Sequence, residues 1–224
     1  MKIHGNEIKA VIFDMDGVLI DTEKYLTKYW CMAAKEWGFP MKFEHACMIR
    51  SLQGKYAEVK LKSIFGQSFD YEKIRSRRKE LMNERISLYG IEPKPNVKES
   101  LAKIKGAGYF LAVATSTDSK RTEKYLKDIE IYDLFDEIIC SNMVENGKPE
   151  PDIYIYACDR IGIKPENCIA VEDSPNGILS AYRANMNVIM IPDLTEAGSD
   201  DIKMAYKIAN SLSELVEILE IVEN

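Results

Sequence analysis

The sequence predicts an α/β protein in which a parallel sheet, covered by helices on both faces, is interrupted by an inserted helical segment. Three observations lead there. Short β-branched and apolar runs recur as strands buried on both faces should; helically spaced segments separate them; and one long stretch near the start carries helical periodicity without a convincing strand.

The first run, residues 8–13, is followed by others at 109–114, 137–140, 168–171 and 187–191, with helical spacing over 118–129, 152–161 and 175–184. From Val97 onward strand and helix alternate, which predicts a Rossmann-like parallel sheet with binding sites at the carboxyl ends of its strands. Residues 22–89 differ. Tyr25, Tyr29, Met32, Ala33 and Trp37, then Val59, Leu61, Ile64 and Phe65, recur at helical spacing and predict an inserted bundle. Glu92-Pro93-Lys94-Pro95-Asn96 marks the return, because two prolines cannot continue a helix. Asn185, after Tyr182-Arg183-Ala184, has the character of a left-handed helix C-cap. Ser211-x-x-Glu214 before Leu215, Val216, Ile218 and Leu219 reads as a capping box opening a last amphipathic helix.

A chain of 224 residues, 46% of them hydrophobic, buries one good core and a small second one. A formal charge of −6 argues against nucleic-acid or anionic-membrane partners, which need a basic footprint, and favours a small substrate. Residues 10–13 form an apolar run too short for a signal peptide or membrane span, so the expected location is the cytoplasm. Cys31, Cys47, Cys140, Cys158 and Cys168 are odd in number, widely spaced and without a Cys-x-x-Cys pair, as reduced core thiols would be. His4 and His45 lie far apart with no partner at ligand spacing, which argues against zinc.

The segment richest in chemistry is Phe13-Asp14-Met15-Asp16-Gly17, where two acids two residues apart leave the end of a buried strand. Such a pair can divide nucleophilic and acid/base work, and Gly17 permits a tight turn after it. A calcium loop fits poorly, since Val18 and Ile20 interrupt the ligand pattern and Tyr25 stands where its last glutamate belongs. Thr115-Ser116, Lys148-Pro149 and Glu172-Asp173 follow later strands. Singly, each has a structural reading as a turn residue, a solvated lysine or a helix N-cap.

Together and in this order, the four segments resemble the haloacid dehalogenase superfamily across nearly the whole chain, in the subgroup with a helical cap inserted after the first strand. The resemblance implies an α/β core over residues 1–20 and 93–224 and a cap over 21–92. It implies a Mg²⁺-dependent phosphatase hydrolysing a small phosphomonoester, a sugar phosphate or similar, through an aspartyl-phosphate. Asp14 would be the nucleophile and Asp16 the acid/base. Thr115 and the Ser116 N–H would hold phosphoryl oxygens, and Lys148 would balance charge. The metal would be held by Asp14, Asp173 and the main-chain carbonyl of Asp16, with Glu172 close by. Electrostatics explains the need: a carboxylate approaching a phosphate dianion at 4 Å meets about 8 kcal/mol of repulsion at an effective dielectric of 20, several decades of rate.

Asp16 favours phosphate ester chemistry, since the resembling dehalogenases and phosphonate hydrolases lack that acid. A β-phosphoglucomutase-like phosphotransferase is the alternative, but Leu26 stands where those mutases have histidine, and Gln53-Gly54-Lys55-Tyr56-Ala57 replaces their Lys-Gly-x-x-Arg. Gln53, Gly54 and Lys55, at that cap element, are candidate substrate contacts, as is Arg50. A non-catalytic phosphate-binding module is a further alternative, disfavoured by retention of both aspartates and Lys148. The basic run Arg75-Ser-Arg-Arg78-Lys79 lies beside Tyr71, Ile74, Leu81 and Met82 and reads as a solvated cap face. The expected partner is a small phosphorylated metabolite, with no nucleic acid and no membrane, bound by a monomer.

Overall fold

The computed structural model describes residues 1–221. It opens with a ribbon absent from the sequence reading, β1 (Lys2–Ile3) paired antiparallel with β2 (Asn6–Glu7). Its turn holds His4 at φ 52° and Gly5 at φ 85°, the left-handed pair that a two-residue hairpin turn of right-handed twist demands. The ribbon shortens the first strand of the sheet. The Ile8 N–H donates to Met1 O and the Lys9 N–H to Asn167 O, so these residues belong to the crossover and β3 begins at Ala10.

The main sheet comprises β3 (Ala10–Phe13), β4 (Phe110–Thr115), β5 (Glu137–Cys140), β6 (Cys168–Glu172), β7 (Asn187–Met190) and β8 (Lys207–Ile208). All neighbours are parallel, in the order β5-β4-β3-β6-β7-β8. Outside the insertion the helices are α5 (Val97–Gly106), α6 (Ser119–Asp128), α7 (Asp152–Ile161), α8 (Pro175–Arg183), α9 (Ser199–Met204) and α10 (Leu212–Ile218); their numbering follows four helices, α1 to α4, described below. The α/β expectation therefore holds, with β8 and α9 added; two residues of strand are too short to show alternation.

Side-chain alternation divides the core in two. Val11, Phe13, Leu111, Val113, Ile169 and Val171 pack with Leu101 and Ile104 of α5 and Leu212 and Leu215 of α10. On the other face Ala10, Ala112, Ala114 and Ala170 are small, and there the bulkier Tyr154 of α7 lies fully buried beside Ile178 and Ala181 of α8. Asn185 has φ 59°, as its C-cap position requires. Ser211 Oγ accepts from the Glu214 N–H, but the Glu214 carboxylate takes the N–H of Asn210 instead, so the reciprocal bond is displaced by one residue. All five cysteines are free thiols, and Cys158 and Cys168 meet at 3.8 Å without bonding covalently.

Between β3 and α5 lie α1 (Glu23–Glu36), α2 (Phe43–Cys47), α3 (Gly54–Phe65) and α4 (Tyr71–Tyr89), with their own apolar core that includes Trp30, Leu61, Phe69 and Ile74. The chain leaves and re-enters through adjacent extended segments: the Asp21 N–H donates to Glu92 O at 2.8 Å and the Lys94 N–H to Leu19 O at 2.9 Å. Phe69 is the centre of an aromatic group, 4.9 Å from Phe39 edge-on and 5.3 Å from Phe65 in a stack. Truncating a fully buried phenylalanine costs about 3–5 kcal/mol. Phe69→Ala should therefore move the urea midpoint down by a corresponding amount; an unchanged midpoint would show that this second core contributes little.

Candidate functional site

The chain runs from β3 outward to β4 and β5, then returns to place β6 on the other side of β3. Such a reversal of strand order opens a crevice at the carboxyl ends of the two central strands. Asp14 emerges there from β3, its N–H donating to Val171 O at 2.9 Å, while Glu172 ends β6 and Asp173 follows. Ser174 then caps α8 by accepting the Gly177 N–H at 3.2 Å, with Pro175 as the first helical residue.

Lys148 joins these acids. Its Nζ lies 2.5 Å from Asp14 Oδ1 and 2.6 Å from Glu172 Oε1, and the Tyr154 hydroxyl donates to the same Glu172 oxygen at 2.5 Å. Lys148, Glu172, Asp173 and Tyr154 are fully buried and Asp14 nearly so. Close approach of backbone to these carboxylates dictates two glycines. A Cβ on Gly177 would overlap the Glu172 carboxylate, and one on Gly17, at φ 86°, would overlap Asp173.

Burial pushes the Glu172 carboxyl up to about 8 against the pull of Lys148, and the charges of Asp14 and Asp173 add to the rise. Burial likewise lifts Asp173 to about 7 despite Arg50, with Asp14 contributing, and raises Asp14 despite Lys148. Burial disfavours the Lys148 ammonium, but Asp14 and Glu172 outweigh it and hold its pKa above the usual value. Asp14, Glu172 and Asp173 offer ligand oxygens within 4.8 Å of one another. Glu172 Oε2 and Asp173 Oδ1 are buried without a hydrogen-bond partner. Crowded carboxylates with free oxygens fit a hard divalent cation.

One participant, Glu23, is not singled out by the sequence, and Arg50, a candidate substrate contact, takes a different part. Glu23 opens α1 and is buried, its carboxyl raised first by burial and then by Asp173. Arg50 is 4% exposed rather than solvated. Its guanidinium pairs with the Asp173 carboxylate, donates to Asp173 O at 3.1 Å and to Thr195 Oγ1 at 3.2 Å, and lies 3.6 Å from Glu23. The Asn176 side chain also reaches the insertion, donating to Met48 O and Arg50 O.

The other candidates are dispersed around this centre. Asp16 is gripped at both oxygens, by the Thr22 hydroxyl at 2.5 Å and the Thr117 hydroxyl at 2.9 Å. Thr115 is buried and its Oγ1 accepts the Thr117 N–H at 3.1 Å; the Ser116 hydroxyl donates to Ser51 O at 2.6 Å. A cavity of about 120 Å³ is walled by Asp14, Asp16, Leu26, Arg50, Ser116 and Arg78, among others. Gln53, Gly54 and Lys55 do not line it. Gln53 bonds Gly147 N and Glu145 O, Lys55 bonds Asn146 and Glu145 O, and Gly54 lies against Tyr71 and Arg75. These residues dock the insertion on the loop that carries Lys148.

The basic run on α4 is not a solvated face. Arg77 is turned outward to Glu36 and Glu80, but Arg75 and Arg78 wall the cavity, and Arg78 is buried with its guanidinium 5.4 Å above the Trp30 ring.

Residues 11–191 match the family model of the haloacid dehalogenase-like hydrolases. The chain belongs to this family. It is 28% identical over 219 residues to the phosphorylated carbohydrates phosphatase of Thermotoga maritima, covering 93% of this chain and all of that one. To the β-phosphoglucomutase of Bacillus subtilis it is 30% identical over 189 residues, covering 80% and 81%. The structure of CbbY from Rhodobacter sphaeroides in complex with phosphate superposes with a TM-score of 0.73 at 26% identity, covering 93% and 96%. The protein is thus a phosphohydrolase of this family acting on phosphorylated compounds. Among the described residues no helix is long and apolar enough to cross a membrane.

The raised Glu172 carboxyl fixes the sign of a pH effect. An unfolded glutamate releases its proton near 4.5 while the folded one keeps it to about 8, so its contribution to stability declines as pH rises through that window. In EDTA, the thermal midpoint of wild type relative to Glu172→Gln should fall between pH 5.5 and 8. A difference that stays flat or grows with pH would contradict burial as the dominant influence on this carboxyl.

Proposed function

We propose that the protein hydrolyses a small phosphomonoester through a phosphoryl group carried on Asp14, with Mg²⁺ as cofactor. The observation that carries this reading is the Lys148 ammonium shared between Asp14 and Glu172 at the mouth of the β3/β6 crevice, beside Asp173 and its free oxygen. Lys148 opposes the rise that burial imposes on the Asp14 carboxyl and aims it, as a carboxylate nucleophile requires. Asp14 and Asp173, with the main-chain carbonyl of Asp16, would hold the metal, and Glu172 would stand beside them. Bound there, the metal supplies positive charge that offsets repulsion between the carboxylate and the phosphate dianion.

An Asp14 oxygen forms a bond to phosphorus as the ester P–O bond breaks, and the departing alkoxide takes a proton from Asp16. Asp16 then accepts a proton from water, which attacks phosphorus and releases inorganic phosphate, restoring the Asp14 carboxylate. The hydroxyls of Thr22 and Thr117 can donate or accept, so they hold Asp16 in place in either protonation state. Thr115 and the Ser116 N–H stand at the end of β4 to receive phosphoryl oxygens. Residues 21–92 act as the cap over residues 1–20 and 93–224, closing the cavity against water.

Phosphoryl return to a sugar is the second reading, favoured by the likeness to the Bacillus subtilis mutase. Leu26 and Ala57 weigh against it: both wall the cavity and are apolar where the resembling mutases have histidine and arginine. Turnover of small sugar phosphates should stop on chelation with EDTA and return with Mg²⁺. Asp14→Asn should abolish a phosphoenzyme detectable after acid quench, and Asp16→Ala should slow phosphate release by about 10²–10⁴-fold. If β-glucose 1-phosphate with a trace of glucose 1,6-bisphosphate gives glucose 6-phosphate faster than free phosphate, the mutase reading replaces this one.

A further inference from the structure

Four arginines lie along α4, and three have an evident occupation of some kind. Arg77 pairs with Glu36 at 2.9 Å and Glu80 at 3.1 Å. Arg85 pairs with Glu92 and donates to Gly90 O. Arg75, half-buried, stands above Tyr71 with Glu72 no nearer than 3.7 Å. Arg78 is buried like Arg85, but unlike it has no carboxylate within ion-pair distance among the described residues and leaves its Nε without a hydrogen-bond partner. A buried cation in this condition is costly unless an anion meets it. The Trp30 ring offers one face to it, which solvates a guanidinium only partly.

Arg75 and Arg78 share the wall of the cavity with Arg121 of α6, whose Nε is held by Asp118 at 2.7 Å. The same cavity reaches Asp14 and Asp16. These three arginines and the two aspartates thus open on one cavity. The arginines strain against each other: burial first, then Arg121 and Arg75, lower Arg78 to about 10, and the same neighbours together with burial lower Lys79. Tyr71 and Asp16 offset that repulsion only in part, whereas a planar guanidinium fork matches a phosphate or carboxylate with two parallel bonds.

We infer that Arg75, Arg78 and Arg121 form a receiving site for a second anionic group of the substrate, a phosphate or carboxylate other than the ester phosphate presented to Asp14. The inference rests on the phosphatase reading for which group is cleaved, but the receiving site itself is a matter of binding. The cavity, at about 120 Å³, suits a small metabolite and not a polymer. The ligand class is thus a short phosphorylated metabolite with a charged group at each end.

Two matched pairs test it: glucose 1,6-bisphosphate against glucose 6-phosphate for a second phosphate, and 3-phosphoglycerate against glycerol 3-phosphate for a carboxylate. Wild type should prefer the doubly anionic member of at least one pair by tenfold or more in kcat/KM, and the pair that shows it names the anion. Arg75→Gln, Arg78→Gln and Arg121→Gln should each shrink that preference at least fivefold; should Arg78→Gln not fold, the two less buried positions decide. Ratios within twofold of unity in both pairs, from protein that releases phosphate, overturn the receiving site and leave the phosphatase reading intact. Calorimetric titration of the Asp14→Asn protein with the same four compounds separates the two failures. Tighter binding of a doubly anionic member supports the site even where no phosphate is released, and equal affinities within both pairs overturn it.

Discussion

A lysine ammonium that is wholly withdrawn from water governs the arrangement of this molecule. Lys148 cannot be buried unpaired, because desolvating a charge costs several kcal/mol even after the protein relaxes. Its two partners, Asp14 and Glu172, sit at the ends of adjacent strands β3 and β6. The parallel pairing of those strands sets the spacing of the acids, and the loop before α7 must deliver the lysine between them. Tyr154 of α7 closes the network from below the sheet by donating to Glu172. The small alanines on that face and the glycine at position 177 are consequences: larger side chains would occupy the space that the tyrosine and the Glu172 carboxylate need.

The second cation of the centre comes from a different part of the chain. Arg50 crosses from the helical insertion to Asp173, with Glu23 at its flank, so four buried carboxylates face two cations. This ion pair makes the seating of the insertion depend on the charge of Asp173. Any cation that binds Asp173 shares that carboxylate with Arg50, and by linkage the two influence each other's hold on it. The loop around Gly147, by contrast, grips the insertion through neutral hydrogen bonds: Gln53 accepts the Gly147 N–H and donates to Glu145 O.

How much of this was legible in the sequence follows from the range of the interactions involved. Asp14, Thr115, Lys148, Glu172 and Asp173 each stand directly after an apolar strand or its loop, so local pattern and order sufficed to single them out, and the structure brings the acids and the lysine together. Arg50 and Asp173 are 123 residues apart, and no local periodicity announces such a pair. Arg75 and Arg78 were misread because α4 is polar over most of its circumference; a charged residue three positions from another charged residue gives no sign of which side faces solvent and which a cavity. Gln53 and Lys55 occupy the expected segment but turn to the loop at 145–147, a choice fixed by tertiary docking. At the amino terminus, two-residue strands are below the length at which alternation can be recognised, although a glycine between short polar-apolar runs is a turn signal in retrospect.

The paired segments at 19–21 and 92–94 bear on how such a molecule can diversify. Because Leu19 and Lys94 are hydrogen-bonded to each other, the sheet sees the whole insertion as a closed detour whose two ends already meet. Replacing one detour by another of different length leaves the ends where they are, and lengthening a loop whose ends are fixed adds only about 0.6 kcal/mol per doubling. The insertion is in that sense an interchangeable part. Its walls, Leu26, Ala57, Arg75 and Arg78, can be rewritten while Asp14, Lys148 and the acids of β6 stay in register, so the cavity wall and the ionic centre are free to change on separate pieces of one chain.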